Sequence, residues 1–281
     1  MAFATFRTVS NYQYPAEKYM NIKLPEYVKG HGLLKDKSVL ITAAAGAGIG
    51  FSAAQRAIEE GCRGIVISDI HEGRLTASVE KLKAETGCKN VFGKVCNVAV
   101  EEDVQALINA AEELLGGVDV LINNAGLGTT KLLIEMEDPE WNKVIDVTLN
   151  GTMRMTRYMM KVMKQRGEGV IVNNASVLGW RAQKEQAHYA AAKAGVMALT
   201  RCAALEAADF GVRINAVAPS LAVHAMLKKS APEELLAELE SKEAYGRGAE
   251  VWEVANVMMF LASDYSSYMT GEIISCSSQR A

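Results

Sequence analysis

Ser38-Val39-Leu40-Ile41-Thr42-Ala43-Ala44-Ala45-Gly46-Ala47-Gly48-Ile49-Gly50 is the stretch that decides the fold. The apolar run Ser38–Thr42 reads as a strand, the glycine-rich turn follows it, and Phe51–Glu60 reads as a helix. Gly46, Gly48 and Gly50 let the backbone approach a pyrophosphate closely, and the start of the helix supplies amide donors and a favourable dipole. A second apolar run, Gly64–Ser68, ends at Asp69, nineteen residues after Gly50. A carboxylate there accepts hydrogen bonds from an adenosine ribose and repels the additional phosphate of NADP, so NAD is the expected cofactor. His71 and Arg74 lie close by and keep NADP open as the alternative. A glycine turn alone says little; strand, turn, helix, strand and acid in register define a nucleotide-binding unit.

Outward from that unit the alternation continues. His71–Thr86 is helix-like, Val91–Val95 a strand, Val100–Leu115 a helix and Asp119–Ile122 a strand. Asn123-Asn124-Ala125-Gly126 follows; in isolation a simple loop, at a strand's C-terminal end it suits the floor of a cofactor crevice. Pro139–Arg166 is a long Met-rich helical region, its methionines suited to adaptable core or subunit packing. Strand Val170–Asn173, helix His188–Asp209, strand Arg213–Val217, helix Glu250–Ser263 and strand Glu272–Ser275 complete one α/β domain over residues 37–281. Residues 221–248, rich in Ala, Glu, Leu and Lys, read as a mobile helical lid. Residues 1–36 form an arm in which Tyr12, Tyr14, Tyr19 and Tyr27 alternate with Pro15, Pro25, Gly30 and Gly32. It packs on its own domain or a neighbouring subunit, or stays partly floppy.

With 281 residues, 49% of them hydrophobic and 22% charged, the chain has enough apolar material for a substantial core. A formal net charge of −3 gives no reason to expect a nucleic-acid or membrane-surface partner. Cys62, Cys88, Cys96, Cys202 and Cys276 are scattered, without metal-ligand spacing, and read as reduced thiols that mostly fill core. No metal site is expected. There is neither a signal-type apolar N-terminus nor an apolar run long enough to span a bilayer, so the expected location is the cytoplasm.

The chemistry lies between Asn173 and Asp209, in Ser176, Tyr189 and Lys193. Tyr189 and Lys193 are four residues apart in an Ala-rich run and share one face if that run is helical. A free tyrosine loses its proton near pH ~10, too high for acid–base work at neutrality. A lysine ammonium ~5 Å away, at an effective dielectric of about 20, favours the phenolate by about 3 kcal/mol, roughly two pKa units. Tyr189 then enters the range useful for general acid–base catalysis. Ser176, at the end of an apolar run, places a hydroxyl where it can bond the same substrate oxygen. Tyr-Ala-Ala-Ala-Lys alone is an ordinary helical segment; the nucleotide unit upstream makes it specific.

Taken together, Thr42–Gly50, Asn123–Gly126, the Ser176/Tyr189/Lys193 spacing and Val217-Ala218-Pro219-Ser220 resemble the short-chain dehydrogenase/reductase family over roughly Leu34 to Ser275. The resemblance implies a Rossmann-like, doubly wound α/β fold with about seven parallel strands and helices on both faces. It further implies NAD(P)-dependent alcohol/carbonyl interconversion and a homodimer or homotetramer. By that likeness Tyr189 is the acid/base, Lys193 depresses its pKa and holds the nicotinamide ribose, and Ser176 positions the carbonyl. The cofactor set it implies is Thr42, Ala44, Gly46, Gly48, Ile49, Gly50, Asp69, Asn97, Val98, Asn124, Ala125, Gly126, Tyr189, Lys193, Pro219 and Ser220. Several positions depart from the family pattern. Ala43 replaces a glycine and the turn is one residue longer; Asn97 stands where an acid often contacts adenine; Ser-Ser-Gln replaces Asp-Gly-Gly after the last strand. Thr148 falls at the position of the catalytic asparagine, which helps hold a water linking the lysine to solvent. A threonine hydroxyl can order that water too, so Thr148 joins the catalytic set with the relay in question.

Trp180 and Gln183, beside Arg181 and Lys184, lie in the loop that should flank the substrate, and His224 replaces a threonine near the carboxamide. Trp180 can stack on a ring while the cations meet a carboxylate or phosphate; a solvated basic loop is the plain alternative. Lys228 and Lys229 in the lid suit a CoA phosphate or plain solvent. The C-terminal pattern is similar to bacterial reductases of steroid-ring degradation, which act on polycyclic acyl-CoA intermediates. The expected function is therefore NAD-dependent interconversion of a secondary alcohol and a ketone on a bulky cyclic, steroid-derived or acyl-CoA substrate. Two alternatives stand beside it: an NADPH-dependent 3-oxoacyl reductase, and a non-catalytic nucleotide-binding sensor suggested by Thr148 and the altered turn.

Overall fold

The structure is a computed structural model that describes residues 24–224, 227 and 233–278. Tyr12, Tyr14, Tyr19, Lys228, Lys229 and Gln279 lie outside these residues. Seven strands form one parallel sheet: β1 (Ser38–Ile41), β2 (Gly64–Asp69), β3 (Val91–Val95), β4 (Val120–Asn123), β5 (Gly169–Asn174), β6 (Val212–Pro219) and β9 (Ile273–Cys276). Their order is β3-β2-β1-β4-β5-β6-β9, so the winding reverses between β1 and β4. A ligand crevice belongs at that reversal, beyond the C-terminal strand ends. Two short strands, β7 (Ala222–Val223) and β8 (Ala249–Glu250), pair separately.

The central strands β1, β2 and β4 are buried along their whole length, because helices cover both faces of the sheet. One core lies under α1 (Ile49–Glu59), α2 (Glu72–Thr86) and α8 (Val251–Ala262), the other under α3 (Glu101–Leu115), α5 (Gly151–Arg166) and α6 (Ala187–Ala208). Strand alternation divides the residues between them: Ile65 and Ile67 enter the first, Val66 the second. The methionines of α5 divide likewise. Met155, Met159 and Met163 are buried core, while Met153 and Met160 line an outer groove against α6. Cys62 and Cys96 are core fillers, their thiols pushed up to about 12 by burial; Cys202 is exposed.

The expected elements are present with ends shifted by a residue or two, and two differences matter. The long helix expected over Pro139–Arg166 is interrupted: α4 (Asp138–Ile145) passes through a π-helical turn, Asp146–Asn150, into α5. The lid region contains α7 (Glu233–Lys242), but also β7, a strand too short to read from sequence.

The described part of the arm straps onto its own domain. Tyr27 packs edge-on against Trp252 of α8 at 5.4 Å, lies under the Arg56 guanidinium at 5.2 Å and donates to Glu59. Glu60, fully buried, accepts from the amides of His31 (2.7 Å) and Leu33 (3.0 Å) and pairs with Arg56 at 2.7 Å. Gly30 lies so close to α1 that a Cβ would fall 2.1 Å from the Glu59 carbonyl oxygen.

Candidate active site

The glycine turn is held from below. Thr42 Oγ1 accepts from the amides of Asn124 and Ala125, each at 3.0 Å, which locks the ends of β1 and β4 together. Ala44 donates its amide to Ser68 on β2, and Gly46 donates to the buried Ser78 of α2 at 3.0 Å. Thr42, Ala44 and Gly46 therefore shape the turn through these bonds. Gly50 is required by close approach, since a Cβ there would lie 2.4 Å from Asn124 Nδ2 and 2.6 Å from the Ala43 carbonyl oxygen. Ala43 adopts φ 49°, a left-handed conformation that glycine takes more easily.

The helix start behind Gly48 and Ile49 fits a pyrophosphate. Helix α1 has no side-chain cap and no acidic residue in its first turn, whereas α4 and α8 close their first turns with glutamate capping boxes. Uncapped amides and the dipole at α1 are then available to an anion. At the end of β2, Asp69 is buried; its Oδ1 accepts from the His71 amide at 3.0 Å and from Arg74 Nη2 at 2.6 Å. The two residues that kept NADP open thus both touch the carboxylate. Asn97 is half-buried, its side-chain oxygen accepting from the Ala99 amide at 3.1 Å. Val98 packs under Gly151, Ser220 donates its amide to Cys276, and Pro219 ends β6.

Ser176, Tyr189 and Lys193 come together at the C-terminal ends of β4 and β5. Lys193 Nζ sits 5.5 Å from the Tyr189 ring centroid and donates to the Asn174 carbonyl at 2.5 Å. It is also beside Gly126, 3.4 Å from where a Cβ would be. Lys193 stands at about the expected distance from Tyr189, but in the cofactor-free protein burial is the dominant influence on the phenol. Burial pushes the Tyr189 phenol above its ordinary value, and the nearby Ser176 hydroxyl is the group that pulls it down. Burial also lowers Lys193 to about 8, since the dry site disfavours the ammonium. Without cofactor, Tyr189 is a protonated phenol at neutral pH, the form that donates a proton to a carbonyl oxygen.

Thr148 is fully buried in the π-helical turn and does not contact Lys193 by hydrogen bond. Its hydroxyl accepts from the Leu127 amide at 3.0 Å and donates to the Leu127 carbonyl at 3.3 Å, while its own carbonyl accepts from Thr152 Oγ1 at 2.8 Å. The hydroxyl oxygen and the carbonyl each accept one hydrogen bond here and each keeps a second lone pair. In the loop expected to flank the substrate, Trp180 is 52% exposed and Gln183 is half-buried. His224 is half-buried, its Nδ1 accepting from the Leu227 amide at 3.3 Å, and burial lowers its pKa.

Several polar residues acquire a role only in three dimensions. Asn123 donates to Asn173 Oδ1 (2.9 Å) and Thr156 (3.1 Å), and Asn173 donates to Thr200 (2.9 Å), a fully buried ladder joining α5, β4, β5 and α6. Asn174 donates to Asn124 Oδ1 at 3.0 Å, and Asn124 in turn holds the Ala43 carbonyl at 2.9 Å. Nothing in a linear pattern marks these pairs. Only their place at matching ends of adjacent apolar strands hints at them. Among the described residues, no group of three or more His, Cys, Asp or Glu side chains is arranged to hold a metal, and no helix is long and apolar enough to cross a membrane.

A doubly wound sheet with a phosphate-ready turn and a Ser/Tyr/Lys set beside it defines a nucleotide-dependent oxidoreductase, and the chain belongs to the short-chain dehydrogenase/reductase family, which binds a nicotinamide cofactor. A family model described as enoyl-(acyl carrier protein) reductase matches residues 43–278. A Mycobacterium tuberculosis protein named (5R,7aS)-5-hydroxy-7a-methyl-1-oxo-2,3,5,6,7,7a-hexahydro-1H-indene-carboxyl-CoA reductase is 54% identical over 262 residues, 92% of this chain and 99% of its own. A 3-oxoacyl-[acyl-carrier-protein] reductase of Thermotoga maritima is 36% identical over 86% of this chain and 96% of its own. The crystal structure of a short-chain dehydrogenase from Mycobacterium smegmatis superimposes with a TM-score of 0.82 at 53% identity, over 92% of this chain and 99% of that one. The enzyme is an oxidoreductase acting on an alcohol or ketone.

Proposed function

We propose that the enzyme interconverts a secondary alcohol and a ketone with NAD, on a bulky cyclic, steroid-derived substrate carried as an acyl-CoA. The observation that carries the chemistry is the convergence of Ser176, Tyr189 and Lys193 beside Gly126 at the sheet's C-terminal edge. The bound dinucleotide supplies or accepts the hydride. Tyr189 gives its proton to the carbonyl oxygen or takes it from the alcohol, Ser176 bonds the same oxygen, and Lys193 holds positive charge next to the phenol. The uncapped start of α1 receives the pyrophosphate and Asp69 the adenosine ribose. The steroid-derived acyl-CoA class is supported by the 54% identical relative, whose name specifies a fused-ring CoA ester, and by the exposed face of Trp180. The second reading, an NADPH-dependent 3-oxoacyl reductase, draws on Arg74 lying 2.6 Å from Asp69. A homodimer or homotetramer is supported by the apolar groove between α5 and α6, floored by Met153, Met160, Leu199 and Phe210, and the cytoplasm is the location this reading carries.

The test has two parts. Titration of NADH and NADPH against the purified protein, read by quenching of its three tryptophans, should favour NADH by tenfold or more; the opposite preference would transfer the assignment to the second reading. Tyr189→Phe should bind NADH as the parent does and lose turnover of a hydroxy-hexahydroindanone-carboxyl-CoA by at least about 10²-fold. Unchanged turnover in that variant would remove Tyr189 from the chemistry.

A further inference from the structure

Residues 126–131, the segment leaving β4, are tied down along their whole length. At the start, the Leu127 amide and carbonyl are both bonded to Thr148 Oγ1, at 3.0 and 3.3 Å. In the middle, Thr129 Oγ1 lies 2.7 Å from His188 Nε2, and the Thr129 carbonyl accepts from Gln186 Nε2 at 3.0 Å. At the end, the Lys131 amide donates to the Glu185 carbonyl at 3.1 Å. Between the first two ties lies Gly128, where a Cβ would fall 3.4 Å from Tyr189 Cδ2 and 3.5 Å from Cε2. The main chain there rests against the side of the phenol ring.

Two features separate this from ordinary loop packing. Gln186 and His188 are buried polar side chains in the turn that leads into Tyr189, and both reach for the same exposed residue, Thr129. His188 is fully buried, and its Nδ1 finds no partner. A buried imidazole with one nitrogen unsatisfied costs stability, so its bond to Thr129 is the contact that makes the residue tolerable there. The second feature is Thr148. With its hydroxyl held on both sides by Leu127, it acts as a peg for this segment.

We propose that Thr129, His188 and Thr148 are positioning residues that fasten residues 126–131 against the Tyr189 ring and hold its hydroxyl in line with the substrate oxygen. The proposal rests on Tyr189 being the acid/base. A swing of the tyrosine about its Cα–Cβ bond moves the hydroxyl by ångströms, and a misplacement of about 1 Å can cost on the order of 10²-fold in rate. On the α6 side, Lys193 is held by the Asn174 carbonyl. The main chain at Gly128 supplies a second restraint, directly against the ring. At residue 148 the threonine hydroxyl anchors the wall that confines the tyrosine.

Thr129→Val keeps the shape of the side chain and removes the hydroxyl; Thr129→Ser keeps the hydroxyl. Turnover is measured with a hydroxy-hexahydroindanone-carboxyl-CoA and NAD, together with NADH binding. Phenol ionisation is followed in the cofactor-free protein by ultraviolet difference absorbance, with Tyr189→Phe subtracted to isolate Tyr189. Thr129→Val should lower kcat about tenfold or more, with KM and NADH binding within about twofold of the parent. Its Tyr189 should ionise at lower pH than in the parent, because a loosened segment admits water to the ring. Thr129→Ser should restore both readouts. An unchanged Tyr189 titration in Thr129→Val, or equal losses in the Val and Ser variants, overturns the proposal. The titration needs no turnover. A parent protein that binds NADH but fails to turn over the CoA ester would count against the proposed substrate and leave this readout to decide.

Discussion

Lys193 shows what burial does to a single charged residue. It is only 3% exposed and held at about 8, below the 10.5 of an ordinary lysine. Between those two values the unfolded chain binds a proton that the folded chain does not, so stability rises with pH across that window. Below about 8 the whole burial cost is present. Lys193→Met should therefore be more stable than the parent at pH 7, by up to about 3 kcal/mol, and the difference should shrink as the pH approaches 10. Urea denaturation at the two pH values checks this. A difference that does not change with pH would mean that Lys193 is not destabilised by its charge. Turnover of the variant should be lost at both. The phenol of Tyr189 is raised by the same burial.

At the scale of elements, the site depends on strand ends that cross-link one another. The buried ladder Thr156–Asn123–Asn173–Thr200 joins two strands to the helices on either side. Asn173→Ala would leave the buried Asn123 amide with Thr156 as its remaining partner and the Thr200 hydroxyl with the Val196 carbonyl, beside an unfilled space. The expected cost is about 2–4 kcal/mol in chemical denaturation, with kcat falling as β5 and α6 lose their common reference. The glycine turn is equally confined. Gly50→Ala places a methyl within 2.6 Å of both the Asn124 amide and the Ala43 carbonyl. Asn124 must then move, and with it the glycine turn whose Ala43 carbonyl it holds. NADH affinity should drop by at least about tenfold, measured by fluorescence titration, while the far-ultraviolet spectrum stays that of the parent.

Across the whole molecule, the arm ties the first helix to the last. Residues 27–33 bridge α1 and α8 through Tyr27, the Arg56–Glu60 pair and the amides that Glu60 accepts. The pair is buried, so its bonds to the arm are what keep its groups satisfied. Gly30→Ala puts a carbon 2.1 Å from the Glu59 carbonyl oxygen, which no side-chain rotation can relieve. The strap should lift, exposing Arg56 and Glu60, at a cost of about 2–3 kcal/mol. Proteolysis within residues 24–33 of the variant, with unchanged kcat, would report that detachment. A protease-resistant variant of parental stability would show that the strap contributes little.

Much of this protein is determined by local sequence. Apolar runs alternating with amphipathic ones specify strands buried on both faces and helices that cover them, and Gly46, Gly48 and Gly50 after the first run mark the nucleotide turn. The spacing of Ser176, Tyr189 and Lys193 is legible too, since strand end and helical period are local properties. The tertiary structure alone decides what each polar group bonds. Thr148 faces Leu127, Asn123 meets Asn173, and His188 finds Thr129, 59 residues before it. It also decides the direction of the Tyr189 shift, which follows from dryness around the ring more than from a lysine four residues away. Hydrogen bonding and desolvation depend on neighbours that arrive from distant parts of the chain, and periodicity carries no record of them.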